Sequence, residues 1–113
     1  MPTIVGLFDG LSLRVPVPTV SVSDMTVLLK KNVTKEEINK ALVEASKTDR
    51  FKGVLDTTTE QLVSSDFIGN TYSATVDLGL TNVVGGNLVK VVAWYDNEVG
   101  YSNRLIEIAQ LYV

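Results

Sequence analysis

Apolar residues recur along this chain at two spacings, and the change between them separates strands from helices. Leu13, Val15 and Val17 alternate with Ser12, Arg14 and Pro16, the period of a half-buried strand with Arg14 on its polar face. Pro16 and Pro18 have no N–H to give a ladder, which puts that strand at a sheet edge or ends it there. Residues 20–30 read as a second, longer strand. Val20 and Val22 are out of phase with Met25, Val27 and Leu29, and a bulge near Asp24 would return both sets to one face.

The period then lengthens. Thr34 and Glu37 form a capping box, with Val33 and Ile38 placed as a hydrophobic staple. Ile38, Ala41, Leu42 and Ala45 make one apolar stripe, while Lys35, Glu36, Asn39, Lys40 and Glu44 face water, so a helix is predicted over 35–46. Short strands follow at 54–56, 62–68 and 72–78, the first two separated by a turn at the threonines 57–59. Residues 82–84 and 88–94 flank Gly85-Gly86-Asn87, a hairpin signal because glycine tolerates positive φ. A second helix is expected over 98–111, with Tyr101, Leu105, Ile108 and Tyr112 on one face. The order β-β-α-β-β-β-β-β-α implies an α+β fold, a mostly antiparallel sheet with two helices packed on one face.

Composition narrows the function classes. At 113 residues, 45% hydrophobic and 20% charged, the chain is one domain or part of one, and its composition argues against disorder. A net charge of −3 leaves no electrostatic footprint for nucleic acid or an anionic membrane. No apolar run is long enough to cross a bilayer, and Met1-Pro2-Thr3-Ile4-Val5-Gly6 lacks the basic and apolar regions of a signal peptide, so a cytoplasmic location is expected. The absence of Cys removes thiolate nucleophiles, disulfides and thiolate metal sites. The absence of His removes the commonest general base and metal ligand. No Gly-rich phosphate loop follows any strand.

Few residues can carry chemistry, and each has a structural alternative. Arg14 is either an exposed or ion-paired arginine, or an anion site whose planar guanidinium matches phosphate oxygens. Asn97 stands at the first turn of the last helix, where it could be a cap, or it could present an amide with one acceptor and two donors. Tyr101 lies one helical turn beyond, as a core aromatic or as a second wall of the same site. Asp24 and Asp66 are strand-end acids, but nothing places them at the roughly 5–9 Å that paired-carboxylate hydrolysis needs. Ser64-Ser65-Asp66 has no histidine to activate a serine.

Three blocks carry a resemblance. They are Phe8-Asp9-Gly10 with the run from Leu13-Arg14-Val15-Pro16 to Ser23-Asp24, then Leu62-Val63-Ser64-Ser65-Asp66-Phe67, then Trp94-Tyr95-Asp96-Asn97-Glu98-Val99-Gly100-Tyr101-Ser102-Asn103-Arg104. In this order they resemble the C-terminal part of the catalytic domain of phosphorylating glyceraldehyde-3-phosphate dehydrogenases. The resemblance begins at Pro2 and Gly6 and covers essentially the whole chain. Val99 is smaller than the residue common at that position in the family. The same motifs occur in erythrose-4-phosphate dehydrogenase, so both aldehydes fit the resemblance.

The resemblance implies an NAD-dependent oxidoreductase of glycolysis, with this chain as a single partial domain over 1–113 and no dinucleotide-binding domain. It implies that Arg14 binds a phosphate group, that Asn97 bonds the nicotinamide carboxamide, and that Tyr101 packs beside the nicotinamide. Tyr95 would stand near the family's catalytic cysteine. That cysteine, the catalytic histidine and the dinucleotide-binding domain all precede the matched region in the family, so no catalytic residue is assigned and the chain is expected to be inactive alone. NAD is not expected to bind it tightly. Self-association is expected, since a truncated sheet leaves an unpaired edge, and the missing N-terminal part of the enzyme is a second partner. A non-catalytic assembly module reusing this sheet is the alternative.

Overall fold

The computed structural model describes residues 5–112; Pro2, where the resemblance starts, lies outside them. The elements are β1 (Ser21–Leu28), α1 (Lys35–Ser46), β2 (Leu55–Thr58), a 3-10 turn (Ser64–Phe67), β3 (Ala74–Asp77), β4 (Asn82–Val84), β5 (Leu88–Tyr95) and α2 (Val99–Gln110). The strands form one sheet in the order β1-β5-β3-β2, and β4 also pairs with β5. β1, β3 and β4 run antiparallel to β5, while β2 is parallel to β3. The α+β class and the mainly antiparallel sheet are as the sequence implies.

β5 is the centre of the sheet, pairing with β1, β3 and β4, and residues on both of its faces are covered. On one face Ala93 packs with Val76 and Leu78, and Leu42 and Val43 of α1 close over them. On the other, Trp94 stacks on Phe67 with ring centroids 5.5 Å apart. This two-sided cover accounts for the nearly unbroken apolar run of β5. The capping box of α1 forms as expected: Glu37 N–H donates to Thr34 Oγ1 at 3.2 Å, and Thr34 N–H donates to Glu37 Oε2 at 2.8 Å. The hairpin also forms, with Gly85 at φ 60° and Gly86 at φ 84°.

Four expectations are corrected. The alternation at 13–17 makes no strand: Leu13 and Val15 are exposed, and the segment finds no neighbouring strand among the described residues. With Pro16 and Pro18 lacking donors, Val17 N–H instead closes a tight turn on Val15 C=O at 2.8 Å. No bulge occurs at Asp24. The register runs unbroken from Ser21 opposite Tyr95 to Leu28 opposite Leu88, so Val22 and Met25 lie on opposite faces, both partly exposed. Asp24 is held in the ladder by Lys90, 2.7 Å away. Residues 62–68 hold the 3-10 turn Ser64–Phe67 rather than a strand, because Asp66 Oδ2 accepts from Val63 N–H at 2.8 Å and local side-chain bonding wins over alternation. Thr57 and Thr58 belong to β2 and the turn follows them.

The chain enters β1 through Val20, which is buried yet has φ 75°, a conformation that β-branched residues rarely adopt. α2 leaves the far end of β5. Of its residues only Gly100 is buried; Tyr101, Leu105 and Ile108 stay exposed, as does Tyr112 beyond its end. No helix among the described residues is long and apolar enough to cross a membrane.

Candidate functional site

The junction between β5 and α2 is built around Asp96. This carboxylate is only 3% exposed. Its Oδ1 accepts from Glu98 N–H at 2.9 Å and Val99 N–H at 3.0 Å, and its Oδ2 accepts from Gly69 N–H at 2.9 Å. The bonds from Val99, Gly69 and Glu98 hold its pKa below the usual carboxylate range, against burial, which pulls the other way. Asp96 therefore satisfies two N–H groups at the start of the helix, those of Glu98 and Val99, and places a negative charge at the helix N-terminus. Its backbone carbonyl also accepts from Gly100 N–H at 3.1 Å, so helical bonding starts at Asp96.

Because Asp96 is the cap, Asn97 is not. Asn97 Oδ1 accepts from Ser21 Oγ at a long 3.4 Å, and its amide NH₂ has no hydrogen-bond partner among the described residues. Tyr101 is 69% exposed, so it is not a core aromatic among the described residues. Both line one depression of about 360 Å³, with Ser73, Tyr95, Gly100 and Arg104 among its walls. The expected pair thus stands together on one helical turn, with a donor amide and a flat ring on the same concave surface.

Arg14 is not part of this cluster. It lies in the exposed segment before β1, it is not in the depression, and it has no ion pair or hydrogen bond among the described residues. Its ion-paired alternative is not realised among them. Asp24 and Asp66 are committed to Lys90 and to Val63 N–H, which removes the paired-acid reading. No group of three or more potential metal ligands occurs among the described residues. A second groove, of about 290 Å³ and lined by Val27, Leu29, Ile38, Ala41, Leu42, Val89 and Val91, offers no polar group for chemistry.

Asp96, Gly100 and Arg104 were not singled out from sequence. An acid at a strand-to-helix junction is a cap signal, and Asp96 carries it as well as Asn97 does. Gly100 is buried against the Tyr72 backbone, so close that a Cβ there would stand 2.9 Å from Tyr72 O. Arg104 bonds Gly53 O, a partner no local pattern could indicate.

Residues 1–97 match the family described as glyceraldehyde 3-phosphate dehydrogenase, C-terminal domain. The chain is 50% identical over 111 residues to glyceraldehyde-3-phosphate dehydrogenase 2 of Synechocystis sp., covering 98% of this chain and 33% of that protein. It is 50% identical to glyceraldehyde-3-phosphate dehydrogenase of Borreliella burgdorferi, over 97% of this chain and 33% of the relative. With the Geobacillus stearothermophilus enzyme of the same name the identity is 47%, over 96% of this chain and 32% of the relative. The chain spans about a third of the length of the curated relatives it matches. On the family match and these identities together, the chain belongs to the glyceraldehyde 3-phosphate dehydrogenase C-terminal domain family.

Proposed function

We propose that this chain supplies the nicotinamide end of an NAD site and one phosphate ligand to a phosphorylating glyceraldehyde-3-phosphate dehydrogenase, and that it has no turnover by itself. One observation carries the reading: Asp96 takes over the capping of α2 and leaves the Asn97 NH₂ without a hydrogen-bond partner among the described residues, beside Tyr101 in a shared depression. An amide offers the complement of the nicotinamide carboxamide, and an exposed tyrosine ring offers a flat wall beside it. Bound there, NAD would supply the hydride acceptor. The residues of this chain would orient its ring.

Arg14 would bind phosphate, of the aldehyde substrate or of the attacking inorganic phosphate, through its charged fork. Its exposure and its lack of a partner among the described residues leave the guanidinium available for that use. The nucleophile and the base must come from elsewhere, since the chain contains neither Cys nor His. Self-association belongs to the same proposal: the outer side of β1 has no pairing strand among the described residues, and the α2 stripe is uncovered.

Amide-resolved NMR of the chain, titrated with nicotinamide mononucleotide, tests the reading. Shifts confined to Asn97, Tyr101 and their neighbours, lost in Asn97→Ala and kept in Arg14→Ala, are expected. The absence of any response at Asn97 and Tyr101 at saturating probe would overturn it. An assay of the same protein with NAD, glyceraldehyde 3-phosphate and phosphate is expected to form no NADH above the blank.

A further inference from the structure

The orientation of α2 is not set by burial of its apolar stripe. Tyr101, Leu105 and Ile108 are all exposed. Two contacts fix its first turn in place: the Asp96 carboxylate on Gly69 N–H, and the buried Gly100 backbone against Tyr72 O. Contacts so close together locate one end of a helix but leave its tilt free. Tilt requires an anchor farther along the axis.

Arg104 is that anchor. Its Nη1 donates to Gly53 O at 2.9 Å and lies 3.5 Å from Ser73 Oγ, while Nη2 pairs with Glu107 on the next turn. Gly53 and Ser73 stand just before β2 and β3, and these two strand entrances are already joined by Ser73 N–H on Val54 O at 2.8 Å. The guanidinium therefore ties the helix to a rigid pair of strands, and a planar fork fixes direction as well as distance. The side chain is 21% exposed, so these bonds are partly shielded from water. Arg104 also lines the depression, with Tyr101 three residues before it on the same side of the helix.

We propose that Arg104 is a positioning residue: by bridging Gly53 O and Ser73 to α2, it sets the tilt of the helix beyond its pinned first turn and so the direction in which the Tyr101 ring faces the Asn97 amide. The functional consequence rests on the reading of those two residues as nicotinamide contacts. The mechanical claim does not. Arg104 touches no reacting atom and acts through the helix that carries the pair.

The test uses amide hydrogen exchange and the nicotinamide mononucleotide titration together, on the wild-type chain, Arg104→Ala and Arg104→Lys. In Arg104→Ala, exchange along α2 is expected to rise about tenfold while β3 and β5 amides keep their protection, the signature of a local opening. The shift response at Asn97 and Tyr101 should fall in parallel. Arg104→Lys, which keeps the charge but not the fork, should restore part of both. Gln110→Ala, an exposed residue of α2 outside the apolar stripe, should change neither. Unchanged α2 exchange in Arg104→Ala would overturn the proposal. So would loss of protection in β3 and β5 in step with α2, which would make Arg104 a residue of the whole fold. If the wild-type chain gives no response to the probe, the nicotinamide reading fails, and the exchange data still decide whether Arg104 holds the helix.

Discussion

Adding a methyl group at Gly100 sets two effects against each other. In a helix, alanine is favoured over glycine by about 1 kcal/mol, and by less in the first turn. The same methyl would stand 2.9 Å from the Tyr72 carbonyl oxygen, with the Tyr72 carbonyl carbon at 3.7 Å and Ser73 Cα at 3.8 Å. All three are backbone atoms, so no side chain can swing away. Overpacking of this kind costs about 1–3 kcal/mol. The contact wins, and Gly100→Ala is expected to lose about 1 kcal/mol net, with α2 displaced from the loop carrying Tyr72 and Ser73. Urea unfolding followed by Trp94 fluorescence measures this. With a slope of about 1–3 kcal/mol per molar, the midpoint should drop by roughly 0.3–1 M. A variant as stable as the parent, or more stable, would refute the reasoning, since helix propensity would then have met no opposing contact.

Replacing the Asp96 carboxylate should cost about 1–3 kcal/mol, because it satisfies three backbone donors from a buried position; thermal melts of Asp96→Asn at neutral pH check this. The same carboxyl dictates a pH dependence. Its pKa is lowered on folding, so its stabilisation is present above the unfolded value of about 4 and is lost as pH falls through the folded value. Melts across acid pH should show the parent losing stability there and Asp96→Asn losing less. Arg14→Ala should change stability by no more than about 0.5 kcal/mol, since Arg14 is exposed and unpaired among the described residues, and a loss of several kcal/mol would make it structural. Sedimentation equilibrium at concentrations on the order of tens of micromolar should show a dimer or larger species, and a clean monomer would contradict the uncovered-edge argument.

What the sequence conveyed depended on whether the forces were local. Thr34 and Glu37 sit three residues apart and their mutual capping needs nothing else, so α1 was legible to its ends. The Gly85–Gly86 hairpin was legible for the same reason. At 13–17 the alternation was correct for a strand but a strand needs a neighbour, and none pairs with it among the described residues. At 62–68 the apolar residues suggested extended chain, and the reach of Asp66 to Val63 N–H, a local bond of the kind that caps helices, closed a turn. The site divided along similar lines. Asn97 and Tyr101 are one helical turn apart, so their proximity followed from spacing. Which of Asp96 and Asn97 would cap the helix did not, because it depends on Gly69, 27 positions away, drawing Asp96 inward. Arg104 depends on Gly53 across 51 positions, a tertiary contact with no local signature.

The most direct measurement replaces the last third of the Geobacillus stearothermophilus relative with this chain and follows phosphate-dependent NADH formation from glyceraldehyde 3-phosphate. The sequences are 47% identical over the exchanged region, enough to expect a folded hybrid. If the chain supplies a nicotinamide contact and a phosphate ligand, the hybrid turns over. In that hybrid Asn97→Ala should raise the KM for NAD, and Arg14→Ala should raise the KM for phosphate. A folded hybrid without phosphate-dependent turnover, or one in which both substitutions leave KM and kcat unchanged, would contradict the account.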